Sequence, residues 1–252
     1  MKRRSWVAIA ALFAVVLVAG YAYRRTIYRA VLRGEFSTPA EAALEAGATA
    51  LPASRSVADV LRLCEPRTKA KFVPLCKTNG VSYPPNRVRL LAFKEEKSLE
   101  VWGANRTGAF HRLATYPIRA ASGTTGPKRR EGDRQVPEGF YRLTTLNPMS
   151  RFHVSIRVDY PNAADRAANP DVPVRELGGD IYVHGNAVSI GCLAMGDAAI
   201  EEIFCIVARA KTRDIWISPV DPRRANMPET EDANLDARYT RLQKAVRSMG
   251  TP

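Results

Sequence analysis

Histidine and cysteine are scarce in this chain, with three and four among 252 residues. No CxxC, HxxxH or HExxH spacing occurs, so nothing in the spacing supports a zinc framework. Acids are also in deficit, 25 against 38 Lys and Arg, leaving a net charge of +13. Glycine and proline, 16 and 17 residues, are too few for a collagen-like or low-complexity chain. Aromatics at 8% and charged residues at 25% are ordinary, and 46% hydrophobic residues suffice for one sizeable domain or two small ones. Internal repeats are lacking.

The basic excess invites a nucleic-acid reading, but its placement opposes one. Lys2, Arg3, Arg4, Arg24, Arg25, Arg29 and Arg33 all precede the first acid, Glu35, so seven of the thirteen charges flank one apolar run. That run, residues 6–23, is uncharged, and as a helix it reaches roughly 27 Å against a hydrocarbon core of about 30 Å. Trp6, Tyr21 and Tyr23 stand near its ends, where aromatic belts form. We expect an uncleaved transmembrane anchor behind a cytoplasmic tail of residues 1–5. The alternative is a cleaved signal peptide, with Gly20-Tyr21-Ala22 as a small-x-small site. Basic residues flank both ends, so charge leaves the orientation open.

Residues 24–86 read as a linker with a turn or helix near residues 40–46 and a short helix capped by Ser56. Cys64 and Cys76, with Pro66 and Pro74 between them, would close a small disulfide loop if exported; in the cytoplasm they would be unrelated thiols. Residues 87–220 read as a β-rich α+β domain. Val88–Phe93 and Ser98–Trp102 flank the charged turn Lys94–Lys97, and Tyr116–Ala120 and Gly139–Leu143 flank a polar loop. Phe152–Asp159 alternates apolar and polar residues, predicting a half-buried strand with His153 on its polar face. Asp180–His184 is the next strand. Asp197 is expected to cap a helix with Ile200, Ile203, Phe204 and Val207 as its stripe, and Ile215–Ile217 is a last buried strand. Residues 221–252 predict a polar C-terminal helix and tail.

One segment concentrates reactive residues: His184-Gly185-Asn186-Ala187-Val188-Ser189-Ile190-Gly191-Cys192. A strand delivers His184, a Gly/Asn turn follows, and the chain returns to Cys192 ahead of a helix. Such a hairpin brings an imidazole within reach of a thiol that is only slightly ionised by itself at neutral pH. The base can take the thiol proton, and the positive end of the helix favours the thiolate. Gly191 permits close backbone approach, so the amides of Gly191 and Cys192 are candidate oxyanion donors, with Gly185 and Ser189 shaping the turn. That is the chemistry of cysteine acyl transfer.

His-Gly followed by Ser-x-Gly-Cys resembles the signature of the L,D-transpeptidase (YkuD) catalytic domain family. The short His-to-Cys spacing with Cys-Leu-Ala-Met is similar to its YafK-like branch. Residues 94–102, Gly126-Pro127-Lys128, Glu131-Gly132-Asp133, residues 135–141, Leu146-Asn147-Pro148 and Asp159-Tyr160-Pro161-Asn162 extend the resemblance in order over residues 87–220. It implies a β-rich L,D-transpeptidase fold, Cys192 as nucleophile and His184 as general base, and peptidoglycan stem peptides as substrate. It also implies Lys128 and Asp133 as groove residues; His153, from its strand face, is a solvated or groove-lining candidate. No metal or organic cofactor is called for. The substrate lies outside the cytoplasm, which implies a single-pass bacterial inner-membrane protein with a periplasmic catalytic domain. Two positions depart from the family pattern: Ile190 stands where His is usual between Ser and Gly, and Ala194 where Arg is usual.

The departures leave amide hydrolysis at the same site as the alternative, for example release of a protein linked to peptidoglycan. A catalytically silent wall-binding module is a further alternative. A zinc site would have to gather His153, His184, Cys192 and Cys205. Cys205 reads as a packing residue, and His111 carries no signal.

Overall fold

The computed structural model describes residues 47–250. The expected anchor or signal at residues 6–23 and the turn near residues 40–46 lie outside them. No helix among the described residues is long and apolar enough to cross a membrane.

The elements run α1 (Val57–Thr78), β1 (Arg87–Phe93), β2 (Ser98–Ala104), β3 (His111–Pro117), β4 (Ala120–Ala121), β5 (Gly139–Asn147) and β6 (Ser155–Val158). They continue with α2 (Ala163–Ala167), a 3₁₀ turn (Val174–Glu176), β7 (Tyr182–His184), β8 (Leu193–Ala194), α3 (Asp197–Arg209), β9 (Thr212–Ser218) and α4 (Ala233–Ser248). The strands form one mixed sheet in the order β3-β2-β1-β9-β5-β6-β7-β8-β4. Strand β9, last in sequence, is central, parallel to β1 and antiparallel to β5. The fold is a sheet-rich α+β domain.

Strand β1 is apolar from Leu90 to Phe93, where both of its faces are covered. Leu90 and Ala92 join the core under α1 and α3, while Leu91 and Phe93 pack with Trp102 and Val246 of α4. Helix α4 is less polar than expected. It buries Leu235, Tyr239, Leu242 and Val246, and Arg238 donates from it to Asp165 at 3.0 Å.

Helix α1 corrects two expectations. Ser56 does cap it, in a capping box with Asp59, but the helix runs 22 residues through both Pro66 and Pro74. Each proline removes one helical hydrogen bond. Both lie on the exposed face, where water can satisfy the orphaned carbonyl. The opposite face carries Val60, Cys64, Thr68, Phe72 and Cys76, one every four residues, against the core. Ion pairs to α3 reinforce it: Arg67–Glu201 at 2.6 Å, Lys71–Glu202 at 2.7 Å and Glu65–Arg209 at 2.6 Å. Cys64 and Cys76 therefore cannot form the expected disulfide. Twelve residues apart on one helix, their Cα atoms are about 18 Å apart, whereas a bridge requires less than about 7 Å. Both are free, buried thiols, and burial pushes each up to about 11.

Three local readings also change near the site. The strand expected over Phe152–Asp159 is ordered as β6 only from Ser155, because His153 adopts a left-handed backbone at φ +70°. Strand β7 begins at Tyr182, after Asp180 at φ +53°. Gly196, not Asp197, occupies the N-cap of α3, which frees the Asp197 carboxylate for another contact.

Candidate active site

Parallel pairing of β7 with β8 sets the geometry, with Val183 opposite Leu193 and His184 opposite Ala194. Continued one residue back, the same register puts Cys192 beside Tyr182. Cys192 immediately precedes β8, and its thiol meets the backbone N–H of Tyr182, two residues ahead of His184 on β7. The buried methyl of Ala194, standing at the departure from the family pattern, lies directly across from His184.

His184 is 2% exposed. Its Nδ1 lies 2.6 Å from the Gly185 carbonyl, an acceptor only, so Nδ1 carries the proton and Nε2 presents a lone pair. Burial holds the imidazole below its ordinary value, although the Gly185 hydrogen bond and the Asp197 charge oppose the shift. The Phe152 ring covers it, with centroids 4.6 Å apart. The Cys192 thiol donates to the Asp180 carbonyl at 3.6 Å. Burial raises it above the ordinary thiol range. The Tyr182 N–H and the Lys128 charge pull it down, and Asp180 pushes it up. Burial thus disfavours the charged form of each group, thiolate and imidazolium alike.

The loop between them is built by side chains that close back on the backbone. Ser189 Oγ accepts from the Cys192 N–H at 3.0 Å and donates to the Cys192 carbonyl at 2.6 Å. Ser122 Oγ accepts from the Gly191 N–H at 2.6 Å and donates to the Arg134 carbonyl at 2.8 Å. Gly191 sits at φ +103°, which favours glycine. Both amides expected as oxyanion donors, those of Gly191 and Cys192, thus donate to serine hydroxyls in this structure. The Gly185 N–H is also committed, to the carbonyls of Phe152 and Val154.

Lys128 and Asp133 are joined to each other, and His153 turns inward. Lys128, 6% exposed, pairs with Asp133 at 2.7 Å and donates to the Arg130 carbonyl at 2.6 Å. Asp133 also accepts the N–H groups of Arg129, Arg130 and Gln135. The two residues fold their own loop, and that loop backs Gly191 through Arg134 and Ser122. His153 does not line a groove; its Nε2 reaches Glu201 inside the protein at 2.6 Å. Cys205 is buried on α3, and burial pushes its thiol up to about 12. Among the described residues no three His, Cys, Asp or Glu side chains are placed to hold a metal ion.

Sequence reasoning missed Phe152, Ser122 and the role of Asp197, whose Oδ1 accepts the Asn186 N–H at 2.7 Å. Phe152 was absorbed into an alternating pattern, and Ser122 stands in a polar loop with no periodicity. Asp197 did carry a signal, one acid at a helix start, but that signal points to capping.

The sequence profile of the L,D-transpeptidase catalytic domain (YkuD) matches residues 88–221. The chain is 39% identical over 183 residues to YafK of Escherichia coli K12, provisionally named an L,D-transpeptidase, covering 70% of this chain and 72% of that protein. Among solved structures it is similar to the helical cell shape determining protein Pgp2 of Campylobacter jejuni, at 22% identity and TM-score 0.46. That match covers 60% of this chain and 52% of Pgp2. Bdellovibrio bacteriovorus Bd1075 aligns at 21% identity and TM-score 0.41, over 66% of this chain and 58% of its own. The chain therefore spans little more than half the length of these two structures.

Proposed function

This chain belongs to the L,D-transpeptidase (YkuD) catalytic domain family, and from that premise we propose that it performs cysteine-dependent acyl transfer on peptidoglycan stem peptides. The observation that carries the reading is that Cys192 enters β8 alongside β7, the strand that carries His184, with its thiol against the Tyr182 N–H and with His184 Nδ1 committed to Gly185, leaving Nε2 as the base.

In this reading Cys192 Sγ attacks an amide carbonyl while His184 Nε2 takes the thiol proton. The tetrahedral intermediate collapses, the C–N bond breaks, and the imidazolium returns the proton to the leaving amine. A thioester on Cys192 remains, and an amine acceptor resolves it as a new amide. Delaying ionisation until substrate arrives fits the burial of both groups, because a permanently charged pair would meet a larger desolvation cost there. The enzyme would act in the bacterial envelope, tethered through residues 6–23 with its catalytic domain in the periplasm.

A hydrolytic outcome is the second reading. Ala194 leaves no fixed cation beside His184, and Ile190, next to the nucleophile loop's glycine, is 71% exposed, so nothing at these two positions is built to hold an acceptor. Water would then resolve the thioester and release a peptide, or a protein linked to peptidoglycan. Incubation with isolated sacculi in heavy-oxygen water, followed by mass spectrometry of muropeptides, separates the two. New amide-linked dimers without label support transpeptidation. Label in a freed stem-peptide carboxylate, without such dimers, overturns it in favour of hydrolysis, and neither product from active wild-type preparations overturns acyl transfer.

A further inference from the structure

The chain ahead of the family-matched region reaches the site from behind. Glu201 on α3 is fully buried, and its carboxylate accepts from four donors. Two come from Thr49, its N–H at 2.7 Å and its hydroxyl at 2.9 Å; the others are Arg67 of α1 at 2.6 Å and His153 Nε2 at 2.6 Å. A carboxylate only accepts, so His153 Nε2 carries a proton. Thr49 and Arg67 both precede residue 88, where the family match begins.

His153 is locked on several sides at once. Arg55 donates to its carbonyl, and its Nδ1 stands 3.7 Å from Asp197. Its left-handed backbone, φ +70°, turns the preceding residue toward the site. There the Phe152 carbonyl accepts the Gly185 N–H at 3.0 Å while its ring lies over His184. A side-chain-free glycine at 185 is what admits this packing: a Cβ there would stand 2.9 Å from the His153 Cβ and 2.9 Å from the Phe152 oxygen.

We propose that His153, held by Glu201, is a positioning residue that fixes Phe152 against His184, and that residues 49–67 are thereby part of the reacting site. The inference rests on the Cys192–His184 reading above. The charged groups facing these two imidazoles are Glu201 and Asp197 from α3, and the preceding segment adds Arg67 on Glu201 and Arg55 on the His153 carbonyl.

The test uses full-length protein and two readouts, turnover on isolated sacculi and alkylation of Cys192 by iodoacetamide across pH. His153→Leu keeps bulk but removes the donor to Glu201. It is expected to lower kcat at least about tenfold with KM nearly unchanged, and to slow alkylation at neutral pH, because a shift of about 1 Å in a reacting group has costs of this order. His153→Gln restores an N–H donor and is expected to recover most of both. Phe152→Ala removes the ring from a 38% exposed position, so folding should survive. Unburying the imidazole should then move the acid limb of kcat/KM upward. A folded His153→Leu with wild-type kcat and alkylation overturns the proposal, as does a His153→Gln no better than His153→Leu. If His153→Leu does not fold, an unmoved acid limb in Phe152→Ala overturns it. Alkylation needs no peptidoglycan, so absent turnover in the wild type would refute the substrate reading while this readout still judges the positioning.

Discussion

Replacing Gly185 by alanine should damage both the fold and the site, and the structure says by how much. A methyl at this position would lie 2.5 Å from Asp197 Oδ1, 2.9 Å from the His153 Cβ and 2.9 Å from the Phe152 carbonyl oxygen. None of these is the loose end of a flexible chain. Asp197 Oδ1 is held by the Asn186 N–H at 2.7 Å, His153 by Glu201, and the third atom is backbone. Overpacking of this kind costs about 1–3 kcal/mol. For a domain of this size each kcal/mol lowers the melting temperature by about 2–4 °C, so a cost of about 2 kcal/mol gives a fall of roughly 4–8 °C. The neighbouring imidazole would move with its strand end, and a displacement near 1 Å is expected to reduce turnover about 100-fold. Thermal unfolding followed by circular dichroism, with turnover on sacculi, measures both. Gly179→Ala is the control, since nothing lies within 4 Å of a Cβ there. If Gly185→Ala melts and turns over like the wild type while Gly179→Ala does likewise, the packing argument fails.

Cys192→Ala should abolish turnover with little change in melting, whereas Cys205→Ala should keep turnover, since that thiol is buried and pushed up to about 12; steady-state rates on sacculi check the pair. Burial holds His184 below its ordinary 6.5, so its base form persists to lower pH, and the acid limb of kcat/KM should have its midpoint under 6.5. The same depression has a stability sign: below 6.5 the unfolded imidazole binds a proton that the folded one resists, so this contribution is lost as pH falls, which urea titrations at stepped pH would reveal. Denatured protein should yield four alkylatable thiols whether or not it has first been reduced, because Cys64 and Cys76 share one helix; mass spectrometry counts them, and two fewer in unreduced protein would contradict the helix.

The sheet was largely legible because its strands carry local signals. Strands β1, β2, β5 and β9 read as short apolar runs between turn residues, and α3 declares itself by its stripe at Ile200, Ile203, Phe204 and Val207. The His184-to-Cys192 segment stands out as a candidate because its imidazole and thiol are close in sequence. What failed depends on partners distant in the chain. Pro66 and Pro74 lie in what reads as a disulfide loop after a short helix, yet α1 continues through both because its buried face packs against the core and α3. His153 alternates correctly for a strand, and only Glu201, 48 residues away, reveals why its backbone turns left-handed. Nothing local to Ser122 reports that its hydroxyl will hold the Gly191 amide from 69 residues away.

The central claim is that an acyl group passes through Cys192, and trapping that intermediate tests it most directly. Protein incubated briefly with muropeptides and quenched in acid should show a mass increase equal to one acyl fragment. Peptide mapping should place it on the peptide containing Cys192, and hydroxylamine should remove it. A wild-type enzyme that turns over with no such adduct, or with the adduct unchanged in Cys192→Ala, would contradict the account.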